Sequence, residues 1–345
     1  MPILRPAFLA VLLSLALAAW PVAAAEAPPA PGKVTGVKLG THPEWFKESF
    51  LDIGEDVSEA ARAGRHVILF LELEGCPYCY KMVEENFRNA PYTDFLRQRF
   101  DVIALNMRGD REVALDRQTT ATEKEISETL KAIYSPTIVF LDHDNRPVAR
   151  VNGYQNVTDF KVTLDYVVDR AYEKMTLAQY RAARVKPDIY AMRPHHMLKN
   201  LTDLRSAADR PLAVLFEDSA CVACDALHDG HLKRPEVLKA LEDFTFVRLD
   251  TRSDTPITDG EGNATTMREY AAKLGIDYQP TIVLFDRGRE IVRIASMLYS
   301  YHFTGVLEYV GQRHYERYPE SPFRYIDAKT AELLQAGKDV PLADE

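Results

Sequence analysis

Short unbroken apolar runs at positions 67–71 and 212–216 mark the two halves of the chain, and each is followed by a helix-like stretch. Runs without polar alternation predict central strands buried on both faces. Ahead of the first, Trp45, Phe46, Phe50, Leu51, Ile53 and Val57 are spaced among acids, which predicts an amphipathic helix over 42–63 closed by Gly64. Behind it the pattern predicts helix over 80–87, a break at Asn89-Ala90-Pro91, and helix again over 92–99. Strands at 100–106, 137–141 and 148–152, a helix at 123–133 and a closing helix at 158–172 complete this half. The polar stretch 108–122 is expected to be a solvated loop, and Asp142 to Asn145 a turn.

The second half repeats the order: helix at 201–208, strand at 212–216, helices at 235–243 and 265–274, strand at 244–250, a hairpin from 281–285 and 291–295, and a closing helix at 302–315. The residues repeat too. Tyr134-Ser135-Pro136-Thr137-Ile138-Val139 matches Tyr278-Gln279-Pro280-Thr281-Ile282-Val283, and Leu105 to Asp110 lines up with Leu249 to Asp254. A unit this long is a duplicated domain, since solenoid repeats run to roughly 20–50 residues. The division is a signal segment at 1–25, a disordered leader at 26–40, a first domain at 41–174, a connector at 175–199, a second domain at 200–320 and a tail at 321–345.

Charge and the N-terminus narrow the function classes. With 42 basic against 51 acidic residues, the net charge of −9 disfavours nucleic acid or an anionic membrane surface as the main partner. Arg5 precedes an apolar run, and Pro21-Val22-Ala23-Ala24-Ala25 offers a small-residue cleavage site, as in a secretory signal. No membrane insertion is expected after cleavage. The closing Leu342-Ala343-Asp344-Glu345 is not a KDEL-type retention address, so the expected compartment is the bacterial periplasm.

All four cysteines of the chain fall in two Cys-x-x-Cys motifs, Cys76-Pro77-Tyr78-Cys79 and Cys221-Val222-Ala223-Cys224. Each stands between a predicted strand and a predicted helix. A thiolate is the nucleophile of disulfide exchange, and a helix N-terminus favours that negative charge. One turn further along, the second thiol can attack the mixed disulfide and release the substrate. Cys76 and Cys221 are therefore the expected attackers, Cys79 and Cys224 the resolving thiols.

Strand, Cys-x-x-Cys, helix and a later Pro-Thr-apolar strand together resemble the thioredoxin superfamily. The fold this implies is α/β, two tandem thioredoxin-like domains, each a central mixed sheet flanked by helices. By the resemblance, Pro136 and Pro280 are cis-prolines facing the cysteines, and Pro77, Tyr78, Ser135 and Gln279 join them in binding a peptide. With Phe-Leu-Glu-Leu-Glu-Gly-Cys-Pro-Tyr-Cys at 70–79, the first copy is similar to periplasmic SoxW-type thioredoxins. The second, with Cys-Val-Ala-Cys, is similar to the C-terminal domain of the DsbD reductase. Both imply reduction of disulfides in exported proteins, with a DsbD/CcdA-type membrane reductase as electron donor and no cofactor. Phe70 and Leu215 stand where the superfamily has a buried Asp. Glu72 and Glu217, two residues on along the same strand face, are the expected proton relays.

Other chemistries fit less well. Two Cys-x-x-Cys pairs suit a zinc site, but each belongs to its own repeat. Cys224, His228 and His231 have a spacing open to copper or zinc, yet Gly230 interrupts the helix and surface histidines are expected. A metal-handling or chaperone-like protein using the pairs as ligands is the alternative to an enzyme.

Overall fold

The computed structural model describes residues 30–184, 189–207 and 209–344. The expected signal segment at 1–25 lies outside them. No helix among the described residues is long and apolar enough to cross a membrane.

The chain runs β1 (Val34–Thr35), α1 (Ile53–Arg62), β2 (His66–Glu72), α2 (Pro77–Met82), α3 (Thr93–Arg99), β3 (Phe100–Asn106), β4 (Glu112–Ala114), β5 (Thr120–Thr122), α4 (Glu123–Thr129), β6 (Thr137–Leu141), β7 (Pro147–Asn152) and α5 (Val157–Val168) through the first copy. The connector carries α6 (Leu177–Arg184) and β8 (Leu198–Lys199). The second copy follows with β9 (Leu212–Glu217), α7 (Cys224–Asp229), α8 (Pro235–Leu241), β10 (Thr245–Asp250), β11 (Pro256–Thr258), β12 (Ala264–Thr266), α9 (Met267–Lys273), β13 (Thr281–Asp286), β14 (Arg289–Ile294) and α10 (Ser300–Gly311). The tail adds α11 (Pro322–Gln335) and β15 (Val340–Pro341).

Each copy holds a mixed sheet, ordered β3-β2-β6-β7 in the first and β14-β13-β9-β10-β8 in the second, the last strand donated by the connector. The central strands alternate between faces with period two. Val67, Leu69 and Leu71 pack with α1, while Ile68 and Phe70 face the opposite layer. In β9, Val214 and Phe216 belong to one face and Ala213 and Leu215 to the other. The layer holding Phe70, Phe87 and Phe160 is continuous with that of Phe246, Phe303 and Val306, so the copies share one apolar interior. Across this seam the buried Arg181 of α6 pairs with Asp159 of the first copy and donates Nε–H to the Asp277 carbonyl of the second at 3.0 Å.

Four sequence expectations change. The helix expected over 42–63 begins only at Ile53, where the Asp52 side chain accepts the Glu55 N–H. The apolar residues of that stretch serve two faces of the sheet, Phe46 on one and Leu51, Ile53 and Val57 on the other, so a straight helix could not bury them all. The solvated loop at 108–122 contains the hairpin β4–β5, and the second copy has its counterpart in β11–β12. The helix at 201–208 reduces to a short 3-10 turn, Leu204–Ala207. Finally, the described part of the 26–40 leader is ordered: β1 pairs in parallel with β15, Val34 opposite Val340.

Candidate functional site

In the first copy β2 ends at Glu72 and the chain turns through Gly75, whose φ of +72° favours glycine and whose missing side chain makes room for Val37. Cys76 then caps α2, its Sγ accepting the Cys79 N–H at 3.1 Å, with Pro77 opening the helix. From the other side comes the Ser135–Pro136 bond, which is cis. It brings the Ser135 hydroxyl to 3.0 Å from Cys79 Sγ and 3.4 Å from Cys76 Sγ.

These contacts separate the two thiols electrostatically. Burial opposes ionisation of Cys76, but hydrogen bonds from Cys79, Ser135 and the backbone outweigh it and hold the thiol below its ordinary range. Burial, reinforced by the neighbouring Cys76 sulfur, pushes Cys79 well up. Cys76 is therefore the more easily ionised of the two and Cys79 the one that holds its proton longer, the division that attack followed by resolution needs. Both are free and line a cleft of about 400 Å³ whose walls include Leu39, His42, Glu72 and Tyr80. Glu72 is half-buried and its Oε1 lies 2.6 Å from His42 Nε2.

Tyr78 points elsewhere. Its ring stacks on Tyr299 of the second copy at 4.9 Å, and its hydroxyl accepts the Tyr299 N–H at 2.9 Å and bonds His302 Nδ1 at 2.8 Å. The expected substrate residue Tyr78 is thus buried in the contact between copies, Pro77 beside it is buried too, and neither lines the cleft. Gly153 lies in the same seam: a side chain there would sit 2.4 Å from Ser296 Oγ. Tyr154 and Met297 form an antiparallel bridge beside it. Gly153 and Ser296 occupy matching places in the two copies and pack on each other.

The second pair is in different surroundings. Cys221 and Cys224 form a disulfide, with Cα atoms 5.5 Å apart. Cys221 is 4% exposed and Cys224 fully buried, packed with Tyr190 from the connector. The Ile189 and Tyr190 N–H groups both donate to the Ser219 carbonyl. Arg193 pins the same strap to α7 through Asp225 and Asp229 at 3.1 and 2.8 Å. Behind the cysteines Glu217 is fully buried and gathers three partners: the Tyr190 hydroxyl at 3.2 Å, His228 Nε2 at 3.0 Å and Arg248 Nη1 at 3.1 Å. Burial and then the Glu217 charge push the Tyr190 phenol up to about 12.

Gln279–Pro280 is also cis, and the Gln279 side chain reaches Thr251. Pro280 lines a small apolar pocket of about 100 Å³ together with Ala223, His231 and Phe303. The expectation of surface histidines at His228 and His231 fails. His228 is 4% exposed, and His231 is half-buried, stacked on Phe303 at 4.3 Å and bonded to the Leu298 carbonyl. Among the described residues no cluster of three or more His, Cys, Asp and Glu is arranged to hold a metal. His42, His228, Tyr190 and the Ser135 hydroxyl lay outside the sequence-level site. No motif marks His42 or Tyr190, which arrive from separate elements, and His228 carried only a metal-like spacing with Cys224 and His231 that does not point to Glu217.

A model of the thioredoxin-like domain matches residues 53–168 and again 199–311. No curated protein matches the chain. Among solved structures, a thioredoxin-fold protein from Helicobacter pylori is 20% identical, covering 33% of this chain and 74% of its own, at a TM-score of 0.30. A DsbH oxidoreductase is 15% identical over 38% of this chain and 91% of its own, TM-score 0.28. The first two thioredoxin domains of Saccharomyces cerevisiae Eps1p are 12% identical over 72% and 89%, TM-score 0.25.

Proposed function

The chain belongs to the thioredoxin-like family, and on that premise we propose that it is a thiol–disulfide oxidoreductase that reduces disulfides of exported proteins in the periplasm. The observation that carries the reading is the first pair: a helix-capping Cys76 held below the ordinary thiol range, beside a Cys79 held above it, on an open cleft. Cys76 attacks the substrate disulfide, forming a mixed disulfide and expelling one substrate thiolate. Cys79 then attacks Cys76 Sγ, expels the second thiolate and leaves the Cys76–Cys79 disulfide. Ser135 steadies both sulfurs, with Pro136 shaping the loop. Glu72 and Glu217 take up the protons of the resolving thiols.

Cys221 and Cys224, with Gln279 and Pro280 opposite, form a second redox pair of the same type. The SoxW-like first copy and DsbD-like second copy support a reducing role, with a DsbD/CcdA-type membrane protein as donor. Insulin reduction with each pair replaced by serines tests the proposal. Turnover that needs Cys76 and Cys79 is expected. Tight metal binding with no turnover in the unaltered chain would replace it with the metal-handling alternative. Titration of both pairs in glutathione buffers tests the direction, and strongly oxidising potentials would sink the reductant assignment.

A further inference from the structure

Each Cys-x-x-Cys strand ends in a glutamate, and in both copies that carboxylate is bonded to a histidine. The two histidines come from unrelated places. His42 reaches Glu72 from the segment ahead of α1 and is steadied by stacking on Phe46 at 5.2 Å and by the edge of Phe70 at 6.3 Å. His228 reaches Glu217 from α7, one turn beyond Cys224, where the first copy has Val83. The same pair built twice from different elements is not explained by duplication of the sequence.

Its placement suits the step that this active site otherwise leaves unserved. Phe70 and Leu215 are fully buried apolar residues, so neither strand offers an acid at that level. Cys79 is bonded by the Ser135 hydroxyl, which cannot carry its proton away at neutral pH. In the first copy His42, Glu72, Cys76 and Cys79 line one cleft. The other charged groups on its walls are Lys38, Glu74 and Glu84, the last held by Arg88. In the second copy Tyr190 bonds Glu217 and packs on both cysteines, and Arg248 holds the other carboxylate oxygen.

Resting on the oxidoreductase reading, we propose that His42–Glu72 and His228–Glu217 are proton-relay dyads for the resolving thiols. The Cys79 Sγ–H proton passes to the dyad as its sulfur attacks Cys76 Sγ. The Cys76–substrate S–S bond breaks, the Cys76–Cys79 bond forms, and the departing substrate thiolate recovers the proton. Two electrons move from the protein dithiol to the substrate. His42 and Glu72 are relay residues, with Cys76 and Cys79 the catalytic ones.

The test uses the full chain with Cys221→Ser and Cys224→Ser, reduced and mixed with a small aromatic disulfide, so that the two thiolate releases are followed separately in stopped flow. Both His42→Ala and Glu72→Gln are expected to slow the second release roughly tenfold or more near pH 6–7 while the first stays within about twofold. They should also flatten its pH profile, and added imidazole should restore the His42→Ala rate. Near-ultraviolet circular dichroism identifies a variant that misfolds, and His42→Asn then takes its place. A second release with unchanged rate and pH profile overturns the dyad. An unaltered Cys76 that does not react with the disulfide overturns the oxidoreductase reading itself. The parallel variant His228→Gln, in a chain with Cys76→Ser and Cys79→Ser, should slow release from Cys221 in the same way, and no slowing there removes the second dyad.

Discussion

Cys76 opens onto a cleft of about 400 Å³, walled on one side by the segment that carries His42. Cys221, at the matching place in the second copy, lies 4% exposed beneath Tyr190 and is bonded to Cys224. The two strands and their Glu are alike, and what differs is the chain that passes over them. In the first copy the overlying segment is held at Gly75 and Glu72 yet leaves a cleft open beside Cys76. In the second, the connector is stitched down by two backbone hydrogen bonds, two ion pairs and the Tyr190–Glu217 bond. One fold therefore yields a pair whose first thiol, Cys76, reaches an open cleft and a pair sealed beneath a strap, the difference coming from its non-repeated parts.

The largest expected effect breaks the comparison outright. Cys76→Ser should reduce insulin turnover to background, whereas Cys221→Ser should retain most of it; the opposite pattern would mean that the sealed pair is the working one. Next comes the contact that ties the first motif to the second copy. Tyr78→Phe leaves the Tyr299 N–H and His302 without their shared partner and should cost about 1–3 kcal/mol in denaturant unfolding. An unchanged midpoint would show that the contact does not stabilise the fold.

Acid should weaken the same seam. Burial lowers His302 to about 4, against a weaker upward pull from Asp344, and burial also lowers His66 to about 4, next to His143. Below about pH 6.5 the unfolded chain binds protons that these folded imidazoles refuse, so stability falls as pH drops from 6.5 towards 4. Each group should remove about 2 kcal/mol by pH 5. Replacing His302 with Phe should halve the fall in melting temperature between pH 7 and 5, with His66 supplying the remainder. A wild-type melting temperature flat over that range would contradict both assignments. The smallest effect concerns the strap. In the reduced chain, Tyr190→Ala should speed alkylation of Cys221 by roughly tenfold, equivalent to about 1.4 kcal/mol of protection, and leave Cys76 unchanged. Equal rates in the two chains would mean that something other than Tyr190 shields the pair.

Much of this was legible in the sequence because it lies in local patterns. The unbroken runs became β2 and β9, and the cysteines follow them where the strand-to-helix reading put them. The hairpins at 112–122 and 256–266 were missed although each ends in a readable signal. Thr122 with Glu125, and Thr266 with Glu269, form capping boxes that open α4 and α9. The two Glu–His pairs were not legible, since His42 meets a glutamate 30 residues away, and His228 one 11 residues away, only after the chain has folded back. The apolar residues of 42–63 misled for a related reason: one spacing was read where two faces of a sheet were being served.

The short ladder between β1 and β15 makes the first cleft depend on a segment far along the sequence, Val34 pairing with Val340. Gly32 has no room for a side chain against the Lys338 carbonyl, and Gly36, at φ +77°, is pressed on Ala343. From this anchor the segment runs on to place Val37 on Gly75, to bond the Lys38 N–H to the Gly75 carbonyl, and to bring up His42. A wall of the first cleft is thus anchored by residues that follow the second copy in the sequence, so the first thiol pair depends on a segment outside its own repeat.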